Sequence, residues 1–337
     1  MKEIIESGEL LGPSGQPLHK GWSRSMLLSY HRSEVPAWRR LFRLKEWDTC
    51  VFGNDDLQVC ITIADCGYAG AVTVSVVSLL RRTEMTRTVI LPFTFGGMEM
   101  TETPDYGDII FRGKGLSLDL ARSPGKRYIR FRMEHFDDVK PLYVNVNLTQ
   151  SEGDSLCTAA AYPETAGGFC LSQRLLAMPA SGVVVYGADR FELESGCMGS
   201  YYWGRGVLPR STSRQWLMGC GNIAGRRIGI CVGDDAGFVC VDGKGTRFAP
   251  TSIRGIQGLR ESNDPSMPVV LRSTDDALNL TLEGAVRCAQ SRGLPLLVSV
   301  ERGLTFGRCS GSVLLDSGER LQIEGMNAML CDIQAVW

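Results

Sequence analysis

Short runs of alternating apolar and polar residues dominate this chain. In YIRFRME (128–134), Ile129, Phe131 and Met133 fall on one side of an extended backbone and Tyr128, Arg130 and Arg132 on the other. LYVNVNL (142–148) sets Leu142, Val144, Val146 and Leu148 against Tyr143, Asn145 and Asn147. LSLDL (116–120), LNLTLEG (278–284) and LPLLVSVER (294–302) repeat the pattern. Successive side chains of a strand point to opposite faces, so a period of two predicts strands with one buried face. The apolar run AGAVTVSVVSLL (69–80) is rich in β-branched residues and reads as a buried strand.

Hairpin signals separate these runs: SPGK at Ser123, AGRR at Ala224, DGKG at Asp242 and DSGE at Asp316. No window of helical length carries a 3.6-residue period with caps, and short helices are expected only near 34–44 or 284–292. The fold class is therefore all-β, with hairpins in series pointing to up-and-down barrels or sandwiches. At 337 residues the chain exceeds one ordinary core and suits two. The stretch AAYPETAGGFCLSQRLLAMPASG (160–182) is rich in Pro, Gly and Ala and breaks the alternation. It is the expected boundary between an N-terminal β domain, 1–170, and a C-terminal one, 171–337. No residue-level repeat relates the two halves.

Composition narrows the function classes. With 44% hydrophobic and 22% charged residues, the profile is that of a soluble globular protein. A net charge of −1 gives no electrostatic footprint for nucleic acid or for an anionic membrane surface. The N-terminal segment has early acidic residues and no long apolar run, so neither a signal peptide nor integral membrane association is expected. Twelve cysteines occur without a C-x-x-C pair. They read as small buried hydrophobes in a reducing compartment, which makes the cytoplasm the expected location. The three histidines lack ligand spacing, and no metal site is expected.

Two motifs are set aside. GCGNIAG (219–225) is misspaced for a dinucleotide loop and leads into a strand pattern, so no helix N-terminus is available for a phosphate. GDSL (153–156) resembles a serine-hydrolase signature, but His19, His31 and His135 all precede Ser155, which rules out that family's chain order.

Three stretches hold the candidate chemistry. YYWGRGVLPR (201–210) places Trp203 and Arg205 on one side of a strand between close-approach glycines, with Trp216 following in RQWLMG. Aromatics beside one fixed charge suit a pocket for an amphipathic ligand, or else a core plug with a stacked arginine. In LKEWD (44–48), Lys45 and Trp47 share one face and Glu46 and Asp48 the other. Two carboxylates buried together would raise one pKa and make a general acid; on a solvated face they would do nothing special. In ITIADCGYAG (61–70), Asp65 shares a face with Ile61 and Ile63 and is either a buried proton donor or a turn cap, with Tyr68 beside it.

These blocks, taken in order with GDIIFRGKG (107–115), WGRGVLP (203–209), FGRCSGSVLLDSGERLQI (306–323) and the terminal Trp337, resemble the DUF2804 family from Gly21 to Trp337. The resemblance implies two lipocalin-like barrels, distantly similar to carotenoid hydratases, tocopherol cyclases and lipocalin-like pericyclases. The sequence departs from the family in three places. Tyr202 stands where members carry an aspartate, the aromatic run that follows is reduced to Trp216, and a polar stretch after Phe238 is missing. The expected function is cofactor-independent binding of a hydrophobic or amphipathic small molecule (a lipid, isoprenoid or polyketide-like compound). Trp203, Arg205, Trp216, Tyr202, Trp47 and Tyr68 would line the cavity. The alternatives are an acid-catalysed hydratase or cyclase using Asp65 or Asp48 with Arg205, and a non-catalytic scaffold.

Overall fold

The computed structural model describes residues 1–337 apart from 151, 234–236 and 295–297. Its regular structure is nearly all β, and the chain forms two large curled antiparallel sheets, each a barrel-like half, as the alternation predicts, with a small two-stranded parallel pair near the start of the chain.

The chain opens with three short strands, β1 (Gly8–Glu9), β2 (Gly21–Ser23) and β3 (Leu28–Ser29). A 3-10 turn (Arg32–Glu34) and helix α1 (Ala37–Phe42) follow. Then come β4 (Leu44–Gly53), β5 (Leu57–Asp65), β6 (Ala69–Ser78), β7 (Thr83–Pro92), β8 (Ile109–Gly113) and β9 (Leu116–Ser123). The series continues with β10 (Lys126–Asp137), β11 (Lys140–Thr149), β12 (Leu156–Tyr162), β13 (Gly168–Tyr186), β14 (Asp189–Leu193) and β15 (Met198–Val207). The main path of the first sheet runs β7-β6-β5-β4-β15-β13-β11-β10-β9-β8.

The second sheet comprises β16 (Ser211–Ile223), β17 (Arg226–Gly233), β18 (Gly237–Val241), β19 (Lys244–Phe248), β20 (Thr251–Arg254), β21 (Val269–Ser273), β22 (Leu278–Leu294), β23 (Val298–Leu314) and β24 (Arg320–Val336). Its order is β19-β18-β17-β16-β24-β23-β22-β21-β20, with α2 (Ile256–Ser262) between β20 and β21.

Each hairpin signal sits at a turn. Pro124-Gly125 joins β9 to β10, Ala224-Gly225 joins β16 to β17, Asp242-Gly243 joins β18 to β19, and the Asp316 turn joins β23 to β24. Ala224 and Gly225 both have positive φ, 51° and 79°, the geometry that matches a two-residue loop to the strand twist. The expected helix at 284–292 is strand within β22, because that segment pairs along its length with β23. LPLLVSVER is not one strand: Leu294 ends β22 opposite Val298 at the start of β23, and 295–297 lie outside the described residues.

The division of the chain also differs from the expected 1–170 and 171–337. One compact unit comprises Met1–Gly53, Val59–Val74 and Thr86–Pro209; the other comprises Asn54–Gln58, Ser75–Met85 and Arg210–Trp337. The Pro/Gly/Ala-rich stretch 160–182 is the β12–β13 hairpin and a long bent strand instead of a linker. A register shift between Leu175 and Met178, with Ala177 at φ 51°, marks a bulge. Such an irregularity bends a strand. The first part of β13 therefore pairs with β12 and β15, and the rest with β11 and β14.

The second unit holds a continuous apolar core. Leu217, Ile230, Val239, Phe248, Leu259, Leu271, Leu280, Leu282, Val313 and Leu330 are all buried within it. All twelve cysteines are free and nine are buried. Among the described residues, no helix is long and apolar enough to cross a membrane.

Candidate functional site

The candidate site grows from the pairing of β4 with β15. Antiparallel register sets Tyr201 opposite Cys50, Trp203 opposite Asp48 and Arg205 opposite Glu46. Directly opposed residues share a face, so both carboxylates stand beside the aromatic–arginine run. Neither is solvated: Glu46 is 3% and Asp48 1% exposed. On the other side of β15, β13 places Leu171 opposite Arg205, Gln173 opposite Trp203 and Leu175 opposite Tyr201.

Asp48 is the hub. Arg122 Nη2 donates to its Oδ1 at 2.6 Å and Arg205 Nη2 to its Oδ2 at 3.0 Å, while the Tyr201 hydroxyl also donates to Oδ1. Burial pushes the Asp48 carboxyl up, but the charges of Arg122 and Arg205 and the Tyr201 hydroxyl outweigh it and hold it below the usual carboxylate range. Tyr201 in turn lies under two guanidinium groups, Arg127 at 5.2 Å and Arg122 at 5.9 Å from its ring centre. Arg122 and Arg127 face each other across the β9–β10 pair, a like-charge contact that persists because each has its own acid, Asp48 and Asp105.

Glu46 is held differently. Arg32 donates to Oε1 through Nε (3.2 Å) and Nη2 (2.9 Å), and Arg205 Nε lies 3.5 Å from the same oxygen. All of these contacts fall on Oε1. Burial is the largest influence on this carboxyl and raises its pKa; Arg205 and Arg32 offset it only in part, so Glu46 sits above the usual range. Burial raises both acids, so it is the arginine and tyrosine contacts that separate them: they outweigh burial at Asp48 and fall short of it at Glu46.

Arg205 is spent on the protein itself. Nε donates to Thr101 O (2.9 Å), Nη1 to Trp47 O and Gly204 O (2.8 Å each), and Nη2 to Asp48 and to Thr101 Oγ1 (3.4 Å). Its guanidinium also lies 4.5 Å from the Trp203 ring centre. Every nitrogen is engaged, so Arg205 acts as a clamp that positions Glu46, Asp48 and Trp203. Among the described residues, Trp203 Nε1, Tyr30 Oη and Gln173 Oε1 are buried polar atoms on or near this face that lack a hydrogen-bond partner, as is Arg127 Nε beside Tyr201. Tyr30 belongs to the same neighbourhood, since Glu46, Arg32 and Arg205 all act on its hydroxyl electrostatically.

The other residues singled out from the sequence lie elsewhere. Trp47 and Tyr202 occupy the opposite face of the sheet, where their rings meet edge-on at 5.8 Å and Arg174 covers Tyr202 at 4.3 Å. A Cβ on Gly204 would come within 2.2 Å of the Trp47 ring, which is why that position is glycine. Lys45 shares this face. It donates to Phe42 O and Cys66 O, lies 4.5 Å from the Tyr68 ring centre, and is lowered to about 8 by burial.

Asp65 closes the β5–β6 turn: its Oδ1 accepts from Gly67 N and Thr94 Oγ1 at 2.7 Å, and its Oδ2 from Met98 N at 3.3 Å. Trp216 is buried in β16 and belongs to the second unit. Ser155 of GDSL is a buried strand-edge residue, accepting from Gln173 and donating to Arg24 O. Among the described residues, no group of three or more His, Cys, Asp or Glu side chains is placed to hold a metal ion.

Sequence reading passed over Tyr30, Arg32, Arg122, Arg127 and Tyr201. Two of these carried a signal. Alternation through LSLDLAR puts Arg122 on the face of Leu118 and Leu120, and alternation through RYIRF puts Arg127 with Ile129 and Phe131. An arginine continuing an apolar face predicts a buried ion pair.

The fold has solved relatives. The crystal structure of a Nitrosomonas europaea protein assigned as AttH superimposes with a TM-score of 0.52 at 12% identity, covering 90% of this chain and 94% of that one. Kievitone hydratase from Nectria haematococca gives a TM-score of 0.45 at 9% identity, covering 98% of each chain. The first likeness establishes a shared fold, and the second is too distant to carry an argument. No curated protein matches the sequence. The blocks from LKEWD to the terminal tryptophan are accounted for by the family itself: the chain belongs to DUF2804, a domain of unknown function whose model matches residues 1–337.

Proposed function

We propose that the first unit binds a small amphipathic molecule on the inner face of its sheet, with the polar end at Trp203, Tyr30 and Gln173. The observation that carries this reading is the group of three buried polar atoms without partners. Buried polar groups are nearly always satisfied, and leaving one unpaired costs about 1–3 kcal/mol. A ligand oxygen that accepts from Trp203 Nε1–H and Tyr30 O–H, with a hydroxyl donating to Gln173 Oε1, satisfies all three. Phe169, Leu171 and Leu175 supply apolar surface on the same strand face for the body of the molecule. Arg205 has a positioning role in this reading and does not touch the ligand.

Native mass spectrometry of protein purified from its own host should reveal a co-purifying small molecule. Trp203→Phe and Tyr30→Phe should each weaken its binding about five- to tenfold, the worth of one hydrogen bond. If neither substitution alters affinity, the site lies elsewhere.

Glu46 favours a second reading, in which the bound molecule is also hydrated or cyclised by proton donation to an alkene. Glu46 replaces Asp65 and Asp48 as the proton donor of that scheme. Asp48 is held ionised by two arginines, and both oxygens of Asp65 accept from turn donors. Glu46→Gln should then bind the ligand normally and abolish its conversion; equal conversion by Glu46→Gln would remove Glu46 as the proton donor, and no conversion by the native chain would leave binding as the whole function.

A further inference from the structure

At one end of the first unit, five large apolar side chains stand in water. Trp38, Leu41 and Phe42 project from α1, and Phe93 and Phe95 from the loop after β7; Phe93 is 72% and Trp38 57% exposed. The β5–β6 turn ties these segments together. Phe93 N donates to Tyr68 O at 2.7 Å and Phe95 N to Gly67 O at 2.6 Å. On its other side, Gly67 lies so close to α1 that a Cβ there would come within 2.2 Å of Leu41 O. Asp65 fastens the assembly by accepting from Gly67, Thr94 and Met98. The two aromatic groups are therefore anchored to the same turn.

Two features set this end apart from ordinary surface. Phe93 and Phe95 adopt φ of 56° and 48°, a region that bulky side chains avoid. Their rings stack on each other at 6.0 Å yet remain exposed, so neither the backbone strain nor the aromatic area contributes to folding. Strain of this kind persists where the surroundings impose it, and it clusters at functional segments. Charge is the second feature. Residues 36–43 contain Arg39, Arg40 and Arg43 and no acid, and residues 90–98 contain no charge at all. The near-zero net charge of the whole chain conceals this local excess. Arg39 lies 5.2 Å from the Trp38 ring centre, which keeps charge and aromatic side by side.

We propose that this aromatic–basic tip docks the protein peripherally on an anionic bilayer surface, with Trp38, Phe42, Phe93 and Phe95 entering the headgroup region. Aromatic rings are favoured at that depth, and arginines beside them meet acidic headgroups. Projecting aromatics on a short helix and a strained loop suit shallow insertion better than a flat protein partner, whose interface would bring a polar rim. The proposal is independent of the ligand reading, since it uses no residue of the Trp203 site.

The test is co-sedimentation of the full chain with phosphatidylcholine vesicles, with and without phosphatidylserine. Binding should require phosphatidylserine and weaken with salt. The double substitution F93S/F95S, confined to exposed rings, should lower partitioning at least about tenfold while leaving the circular dichroism spectrum unchanged. R40E should reduce the preference for phosphatidylserine. Brominated lipid should quench tryptophan fluorescence in the native chain, and W38F should lose most of that quenching while still sedimenting with vesicles. Absence of binding to either vesicle, or equal binding by F93S/F95S, overturns the proposal. So does a lipid-free dimer that F93S/F95S dissolves, because the tip would then be covered by a second copy of the chain.

Discussion

The two units close similar antiparallel sheets around different interiors. In the second, the core is a continuous apolar cluster from Leu217 to Leu330. In the first, the β4–β15 face carries Glu46, Asp48 and Arg205, joined by Arg122 from β9, all at or near zero exposure. The second unit has a buried carboxylate too, Asp332, but it is paired with Arg260 and stands outside that apolar cluster. Buried ion pairs are weak sources of stability, and replacing them with well-packed apolar groups is often neutral or better. The charged interior of the first unit is therefore best understood as a device for holding particular groups in particular states: Asp48 ionised, Glu46 with a raised pKa, and Trp203 fixed under a guanidinium.

The sharpest way to break this contrast is Arg205→Met. It strands Asp48 and Glu46 with fewer partners in a dry interior, and should cost about 3–5 kcal/mol in urea unfolding. A loss below about 1 kcal/mol would mean that water reaches the face and that the network is not a clamp. Next in size is Leu280→Ala in the apolar core of the second unit. It should cost about 2–4 kcal/mol through lost burial and a cavity, with no change in the acid limb of the stability profile.

The pH profile sharpens the difference further. Asp48 has a depressed folded pKa, so its stabilisation is present above roughly pH 4 and is lost as pH falls through the folded value. Glu46 has a raised folded pKa, so its contribution is present below the ordinary glutamate value and is lost as pH rises through the folded one. Urea midpoints measured across pH should show Asp48→Asn flattening the acid limb and Glu46→Gln removing the decline above the carboxylate range. The smallest expected effect belongs to Tyr30→Phe. Deleting an unpartnered buried hydroxyl should leave stability unchanged or raise it by up to about 1 kcal/mol. A loss of about 2 kcal/mol or more would reveal a partner that the hydroxyl serves in the ligand-free protein.

The fold was legible because its signals are local. Each hairpin turn and the alternation in YIRFRME and LYVNVNL needs only a few neighbouring residues, and the two-barrel architecture followed. The unit boundary was not legible: it depends on β15 pairing with β4, some 150 residues earlier, and no compositional shift marks that. The site was legible in part. Periodicity correctly placed Glu46 with Asp48 and Trp203 with Arg205, but it could not say which face of β4 turns inward, since nearly every residue of that strand is buried. Tyr30 and Arg32 sit in an irregular segment whose position is set by tertiary contacts, so no pattern announced them. For Asp65 the sequence left open a buried proton donor or a turn cap; it accepts from the Gly67 turn, and its further partners, Thr94 and Met98, lie a strand pair away, where no local pattern points to them.

The free cysteines give the molecule an internal clock. Burial pushes Cys157 and Cys309 up to about 12 and Cys50 higher still, so the folded protein presents almost no thiolate at these positions. Alkylation there must wait for the surrounding strands to part. Cys50, Cys60, Cys157 and Cys170 report on the first unit, and Cys231, Cys240, Cys288, Cys309 and Cys331 on the second. A pulse of thiol reagent followed by peptide mapping would rank the opening frequencies of the two barrels residue by residue, using probes the chain already carries.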